Sequence, residues 1–125
     1  YRLSPDGAYR AYVTKGPNDK NPQIYIQGQV NQYGTAPTWE VTKDFSRVCY
    51  DPMWSPDGAK LVFVSEERGS DDVWVINIDG SNAVDLTPNN WEWDKHPSWS
   101  PDGRHIVFWS NRTGIKNIYV MDADG

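Results

Sequence analysis

Few groups in this chain could do chemistry. Among its 125 residues are two histidines, His96 and His105, and one cysteine, Cys49. An α/β-type serine hydrolase needs a Gly-x-Ser-x-Gly elbow followed by an acid and a histidine, and no such elbow occurs. A zinc site needs three or four convergent ligands, and no spacing of His, Cys, Asp and Glu supplies them. Asp122-Ala123-Asp124-Gly125 has the opening residues of a calcium loop, but such a loop needs further ligands and a closing Glu. Glycine-rich phosphate loops are absent, so nucleotide binding has no support.

A repeat positions whatever groups remain. Trp54-Ser55-Pro56-Asp57-Gly58 recurs unchanged as Trp99-Ser100-Pro101-Asp102-Gly103, and Leu3-Ser4-Pro5-Asp6-Gly7 is a looser third copy. Placed without a gap, residues 50–80 and 95–125 are identical at thirteen of 31 positions, which makes them copies of one unit. Pro presets the second position of a type I turn, Asp bonds its own backbone, and Gly closes the turn with a left-handed conformation. That turn chemistry accounts for Asp6, Asp57 and Asp102 without assigning them to a site.

The runs between turns read as strands. Leu61-Val62-Phe63-Val64-Ser65 and Ile106-Val107-Phe108-Trp109-Ser110 are β-branched or aromatic on both faces, so both faces must be covered. Stacked small sheets achieve this. Each unit of about 45 residues parses into four antiparallel strands, the signature of a β-propeller blade. The expected fold is therefore all-β, a single partial β-propeller over residues 1–125 with about three blades. They span about 1–43, 44–88 and 89–125, the last lacking its outer strand. A closed propeller takes four to eight blades. The expectation is a piece of a longer chain, with two copies completing one ring as the alternative.

The repeat also acts as an internal control on candidate sites. Trp91 aligns with Ser46, so the unit does not require a Trp there. With Asn90 and Glu92 beside it, Trp91 is a candidate anchor for a partner or a sugar ring. Arg47 and Tyr50 occupy the corresponding connection of the previous blade. Trp93 aligns with Val48, and packing between blades is expected of it. His96 aligns with Asp51 at the start of the innermost strand, which makes both channel-lining candidates for a ligand or metal. His105 aligns with Lys60 and is expected to face solvent.

Composition bounds the partners. The net charge is −5 with both signs scattered, whereas a phosphate backbone requires a basic face; nucleic acid is not expected. No run is apolar and long enough to span a membrane. One cysteine allows no internal disulfide, which leaves the compartment open. Asn111-Arg112-Thr113 matches a glycosylation sequon but falls where a turn is expected.

The run Leu86-Thr87, Pro97 to Gly103, Ile106-Val107-Phe108, Ser110 to Gly114 and Asn117 to Gly125 resembles the Pro-Asp propeller repeat of the TolB-like family. The resemblance covers nearly the whole chain and is weakest in the first blade, where Leu3 replaces Trp. It implies a six-bladed parent, a periplasmic or extracellular location, and a non-catalytic scaffold that binds a protein or other ligand. Related repeats occur in propellers of prolyl oligopeptidase and dipeptidyl peptidase IV enzymes. The alternative is thus the propeller portion of an enzyme, either the access-gating domain of such a hydrolase or a metal-dependent polysaccharide lyase propeller. No cofactor is expected, with calcium or another divalent metal in the channel left open and without a ligand set.

Overall fold

A computed structural model of the chain describes residues 2–88, 93–111, 114–115 and 117–123. They form three antiparallel sheets. The first runs β1 (Arg2–Leu3), β2 (Tyr9–Thr14), β3 (Gln23–Gly28) and β4 (Thr38–Glu40), in that order. The second runs β5 (Cys49–Trp54), β6 (Lys60–Ser65), β7 (Asp72–Asn77) and β8 (Val84–Asp85). The third has β9 (Asp94–Trp99), β10 (His105–Ser110) and β11 (Asn117–Asp122), with β10 in the middle. These are propeller blades, and β1, β5 and β9 are their neighbouring inner edges.

The Ser-Pro-Asp-Gly turns close each inner hairpin in one way. The Ser55 hydroxyl donates to Asp57 Oδ1 at 2.6 Å, and the Ala59 amide donates to the same oxygen at 3.0 Å. The Lys60 amide in turn donates to Ser55 Oγ at 3.0 Å. Gly58 sits at φ 74°, a conformation that costs Gly nothing. The same bonds recur at Ser4–Tyr9 and Ser100–His105. Donation by the Ser55 hydroxyl and then the Ala59 amide holds the Asp57 carboxyl below its ordinary value. Asp6, Asp57 and Asp102 are thus each occupied by their own turn.

Blades stack face to face. The trailing face of the first blade pairs Ala11 with Ile26 and Val13 with Ile24. Its Ala11, Ile24 and Ile26 pack into one buried cluster with Leu61, Phe63, Trp74 and Ile76, which form the leading face of the second blade. In the same manner Val62, Val73 and Val75 of the second blade's trailing face pack against Ile106 and Phe108 of the third. At the inner edge each repeat Trp reaches back. Trp54 Nε1 donates to the Arg2 carbonyl at 3.0 Å, and Trp99 Nε1 donates to the Met53 carbonyl at 3.2 Å. Arg2 and Met53 hold equivalent places in β1 and β5. Backbone bonds from Cys49 N to Pro22 O (3.0 Å) and from Asp94 N to Asp71 O (2.8 Å) repeat the same logic.

A polar position lies behind each seam. In the first blade, Gln23 Oε1 accepts from the Thr42 hydroxyl at 2.7 Å while its amide donates to the Arg47 carbonyl at 2.9 Å. Asp72 takes that place in the second blade, fully buried and facing Asp85 and Asp94. Burial first, and then Asp85, push its carboxyl up to about 9. The neighbouring Asp85 is paired instead with Arg68 at 3.7 Å.

Two outcomes follow from these contacts. Trp54→Phe loses the donor and part of the buried indole, and should cost about 1 kcal/mol for the bond and more for the lost packing. Chemical denaturation would check it; an unchanged midpoint would mean the bond contributes nothing. Asp72 holds its proton more tightly folded than unfolded, so its contribution to stability falls as pH rises from about 3.8 to about 9. Asp72→Asn, which installs the amide already present at Asn117, should abolish that part of the slope and be the more stable protein at pH 8. Melting curves across pH 5–9 read this directly.

Candidate functional site

β5 and β9 are interrupted at the same place. Pairing of β5 with β6 slips between Tyr50 and Met53, and pairing of β9 with β10 slips opposite Val107 and Trp109. Two inner-strand residues, Asp51-Pro52 or His96-Pro97, therefore oppose one residue of the neighbouring strand. Such a bulge bends the strand and re-aims its side chains. Proline is tolerated because an edge or bulge position needs no amide donor. Asp51 and His96 take φ values of 55° and 54°. Left-handed backbone costs a side-chain-bearing residue on the order of 1 kcal/mol, and Asp and His are among the types that tolerate it.

The two bulges bring Asp51 and His96 together. His96 Nδ1 lies 3.1 Å from Asp51 Oδ2. That carboxylate oxygen is itself buried, whereas the His96 side chain is 63% exposed. The contact is one of proximity and charge and does not meet hydrogen-bond geometry, and Asp51 Oδ2 has no hydrogen-bond donor among the described residues. The pair sits in a groove of about 650 Å³ on the channel side, lined also by Arg2, Tyr12, Tyr50 and Met53. Burial, followed by the negative charge of Asp71, holds the Tyr50 phenol well above its ordinary value. It therefore remains a hydrogen-bond donor at any physiological pH. Asp71 is paired with Lys95 at 3.3 Å, and Lys95 Nζ lies 5.5 Å from the centre of the Trp93 ring. The groove thus offers a phenol donor, a carboxylate, an imidazole and a guanidinium side by side. No three His, Cys, Asp or Glu among the described residues are placed to hold a metal ion.

Of the candidates read from sequence, Tyr50, Asp51 and His96 share this groove. Arg47 is exposed and apart from its lining; the Arg47 amide donates to Glu67 Oε1 at 3.0 Å, fixing the loop. Asn90, Trp91 and Glu92 lie outside the described residues. The expectation for Trp93 needs correction. Its backbone is pinned to Asn111 as Val48 is to Glu66, but its indole is 51% exposed and lies against Lys95 instead of between blades. Arg2 and Tyr12 were not singled out by sequence. A signal was present in Pro52 and Pro97, since proline inside a strand marks an edge or bulge.

The backbone strain makes an inverted prediction. Glycine normally destabilises a strand relative to alanine. At position 96 both His96→Gly and His96→Ala lose the Asp51 contact, but only Gly relieves the left-handed backbone. His96→Gly should be the more stable of the two by about 1 kcal/mol. Urea unfolding of both variants tests it, and the usual order would contradict the bulge geometry.

Comparison with known proteins gives a consistent picture. A family model described as the TolB beta propeller domain matches residues 1–125. No curated protein sequence matches. A solved structure assigned as TolB from Agrobacterium tumefaciens is similar to the whole chain, with 26% identity and a TM-score of 0.80. TolB from Acinetobacter baumannii is 26% identical over 97% of the chain, with a TM-score of 0.73. Prolyl oligopeptidase B from Galerina marginata, at 14% identity over 99% of the chain and a TM-score of 0.66, shares the fold. The chain spans 45%, 28% and 20% of these three structures, respectively, so less than half of each.

Proposed function

The chain belongs to the TolB beta propeller family, and from that premise we propose that its channel-side groove binds a protein partner without catalysing a reaction on it. The observation that carries this reading is the paired bulge. Two adjacent blades adopt costly left-handed backbone at the same position and thereby bring Asp51 against His96 in one groove. Strain retained at a concave polar site is a pointer to function. A groove of about 650 Å³ is within the range that accommodates a small ligand or a few side chains of an extended segment. Along its lining Tyr50 and Arg2 supply donors and Asp51 an acceptor. This mixture suits a peptide better than a sugar phosphate or nucleic acid, because the chain is net acidic. The likeness to TolB supports a periplasmic or extracellular setting for such a partner.

Selection of a displayed peptide library against the chain, followed by affinity measurements, tests the proposal. Peptides that occupy the groove should lose at least tenfold in affinity with His96→Glu, which puts a second carboxylate beside Asp51 at an exposed position. Val84→Glu on the outer strand should leave them unaffected. Equal loss in both variants, or none in either, would place binding elsewhere. Hydrolysis of a broad ester and peptide panel that a Ser-to-Ala scan abolishes would replace this reading with an enzymatic one.

A further inference from the structure

The two seams are built alike but filled differently at the end of the sheets that carries the Ser-Pro-Asp-Gly turns. There the first seam is closed by three large side chains. Tyr9 and Trp39 of the first blade meet edge to face, with 5.9 Å between ring centres and 72° between planes. Both pack against the buried cluster together with Ile78 of the second blade. Trp39 Nε1 donates to the Ile78 carbonyl at 2.7 Å, so the indole is bonded as well as packed.

The register identifies the same three places in the second seam. The Tyr9 amide donates to its turn serine as the Lys60 amide does. Trp39 pairs with Ile26 as Val84 pairs with Val75. The Ile78 amide donates to the Ala59 carbonyl as the Ala123 amide donates to the Arg104 carbonyl. Lys60, Val84 and Ala123 thus stand where Tyr9, Trp39 and Ile78 close the first seam. Two aromatic rings and an isoleucine are replaced by a lysine stem, a valine and a methyl group. At this place a pocket of about 590 Å³ opens between the second and third blades, with Lys60, Val75, Trp99, Arg104, Asp122 and Ala123 in its lining. That volume is in the range of ligand sites, and the pocket shares no lining residue with the channel-side groove.

What remains there sets the chemistry. The apolar part is Val75, Trp99 and Ala123, and Trp99 Nε1 is already bonded to the Met53 carbonyl. The Ala123 carbonyl holds the place of the acceptor that Trp39 uses in the first seam. Lys60 and Arg104 are exposed donors, and Asp57 and Asp102 each take their two turn bonds on Oδ1 alone. Arg104 is peculiar to this seam, since the repeat has Ala8 and Ala59 at its position. A bare aromatic ring has no use for these donors and acceptors, whereas a peptide backbone matches both.

We propose that the pocket between the second and third blades takes a tryptophan side chain from an extended segment of a partner protein, in the place that Trp39 fills from within the first seam. The ring lies against Val75, Trp99 and Ala123, and its N–H donates to the Ala123 carbonyl. Lys60, Arg104, Asp57 and Asp102 engage the peptide groups on either side. The site is separate from the channel-side groove and stands whether or not that groove binds a peptide.

The probe is N-acetyl-tryptophanamide, titrated into the full chain and followed in ¹⁵N and methyl spectra. It should shift the Trp99 indole and Ala123 methyl signals saturably and leave the Trp54 indole, the counterpart in the first seam, unmoved. Val84→Trp with Ala123→Ile copies the first seam into the second and should weaken the probe at least about tenfold, the gain from burying one aromatic side chain. Arg104→Ala, an exposed change to the residue of the other two turns, should weaken N-acetyl-tryptophanamide more than it weakens free indole. Should the double variant lack a cooperative melt, Ala123→Ile alone takes its place and should weaken the probe in the same direction. No saturable shift at Trp99 in the wild type, or undiminished binding in the folded filled variant, overturns the site. Free indole that binds as tightly as N-acetyl-tryptophanamide overturns the partner segment.

Discussion

One hydrogen bond sets the geometry of the inner edge. An indole N–H from each repeat tryptophan donates to a backbone carbonyl on the innermost strand of the preceding blade, from Trp54 to Arg2 and from Trp99 to Met53. Edge strands leave some backbone groups outside their own ladder, and such groups need partners. The tryptophan provides one while its ring fills the seam between sheets. A bulky ring alone would exclude water but would tolerate sliding. The directed bond fixes how far one blade is displaced against the next, so every later blade inherits the placement of the one before.

That placement makes the site. Asp51 and His96 belong to different sheets, and neither strand alone could set the 3.1 Å between them. β5 and β9 are held at a constant offset by Trp99 on Met53, two residues beyond Asp51. Within that offset the two bulges turn their side chains toward each other. A buried Asp51 oxygen has its ion-pair neighbour across the seam and not within its own blade. The groove is therefore a property of the blade pair, and its polar character depends on inter-blade order more than on any one loop.

Much of this was legible in the residues. The Ser-Pro-Asp-Gly spacing located every inner hairpin, because Pro, Asp and Gly each have a single conformational use there. Alternation in Leu61–Ser65 and Ile106–Ser110 fixed two-sided burial, and the repeat alignment matched Asp51 with His96 before any coordinates. Conformation inside the strands was not legible. A period-two pattern reports which face a residue occupies but cannot show that Asp51 leaves the pattern through a left-handed backbone. Trp93 differs for a related reason: alignment with Val48 carries over the backbone bonds to Asn111 but not the burial of the larger side chain, which is exposed beside Lys95.

The central claim is that the inter-blade seam delivers the His96 ring to Asp51, and the imidazole nitrogens report it most directly. In ¹⁵N-edited spectra of the histidine rings, Asp51→Asn should shift the His96 Nδ1 resonance and leave the His105 ring unchanged, because His96 Nδ1 lies 3.1 Å from the Asp51 carboxylate. A His96 ring indifferent to Asp51→Asn would mean that the two bulges do not meet and that the groove is not a joint product of adjacent blades.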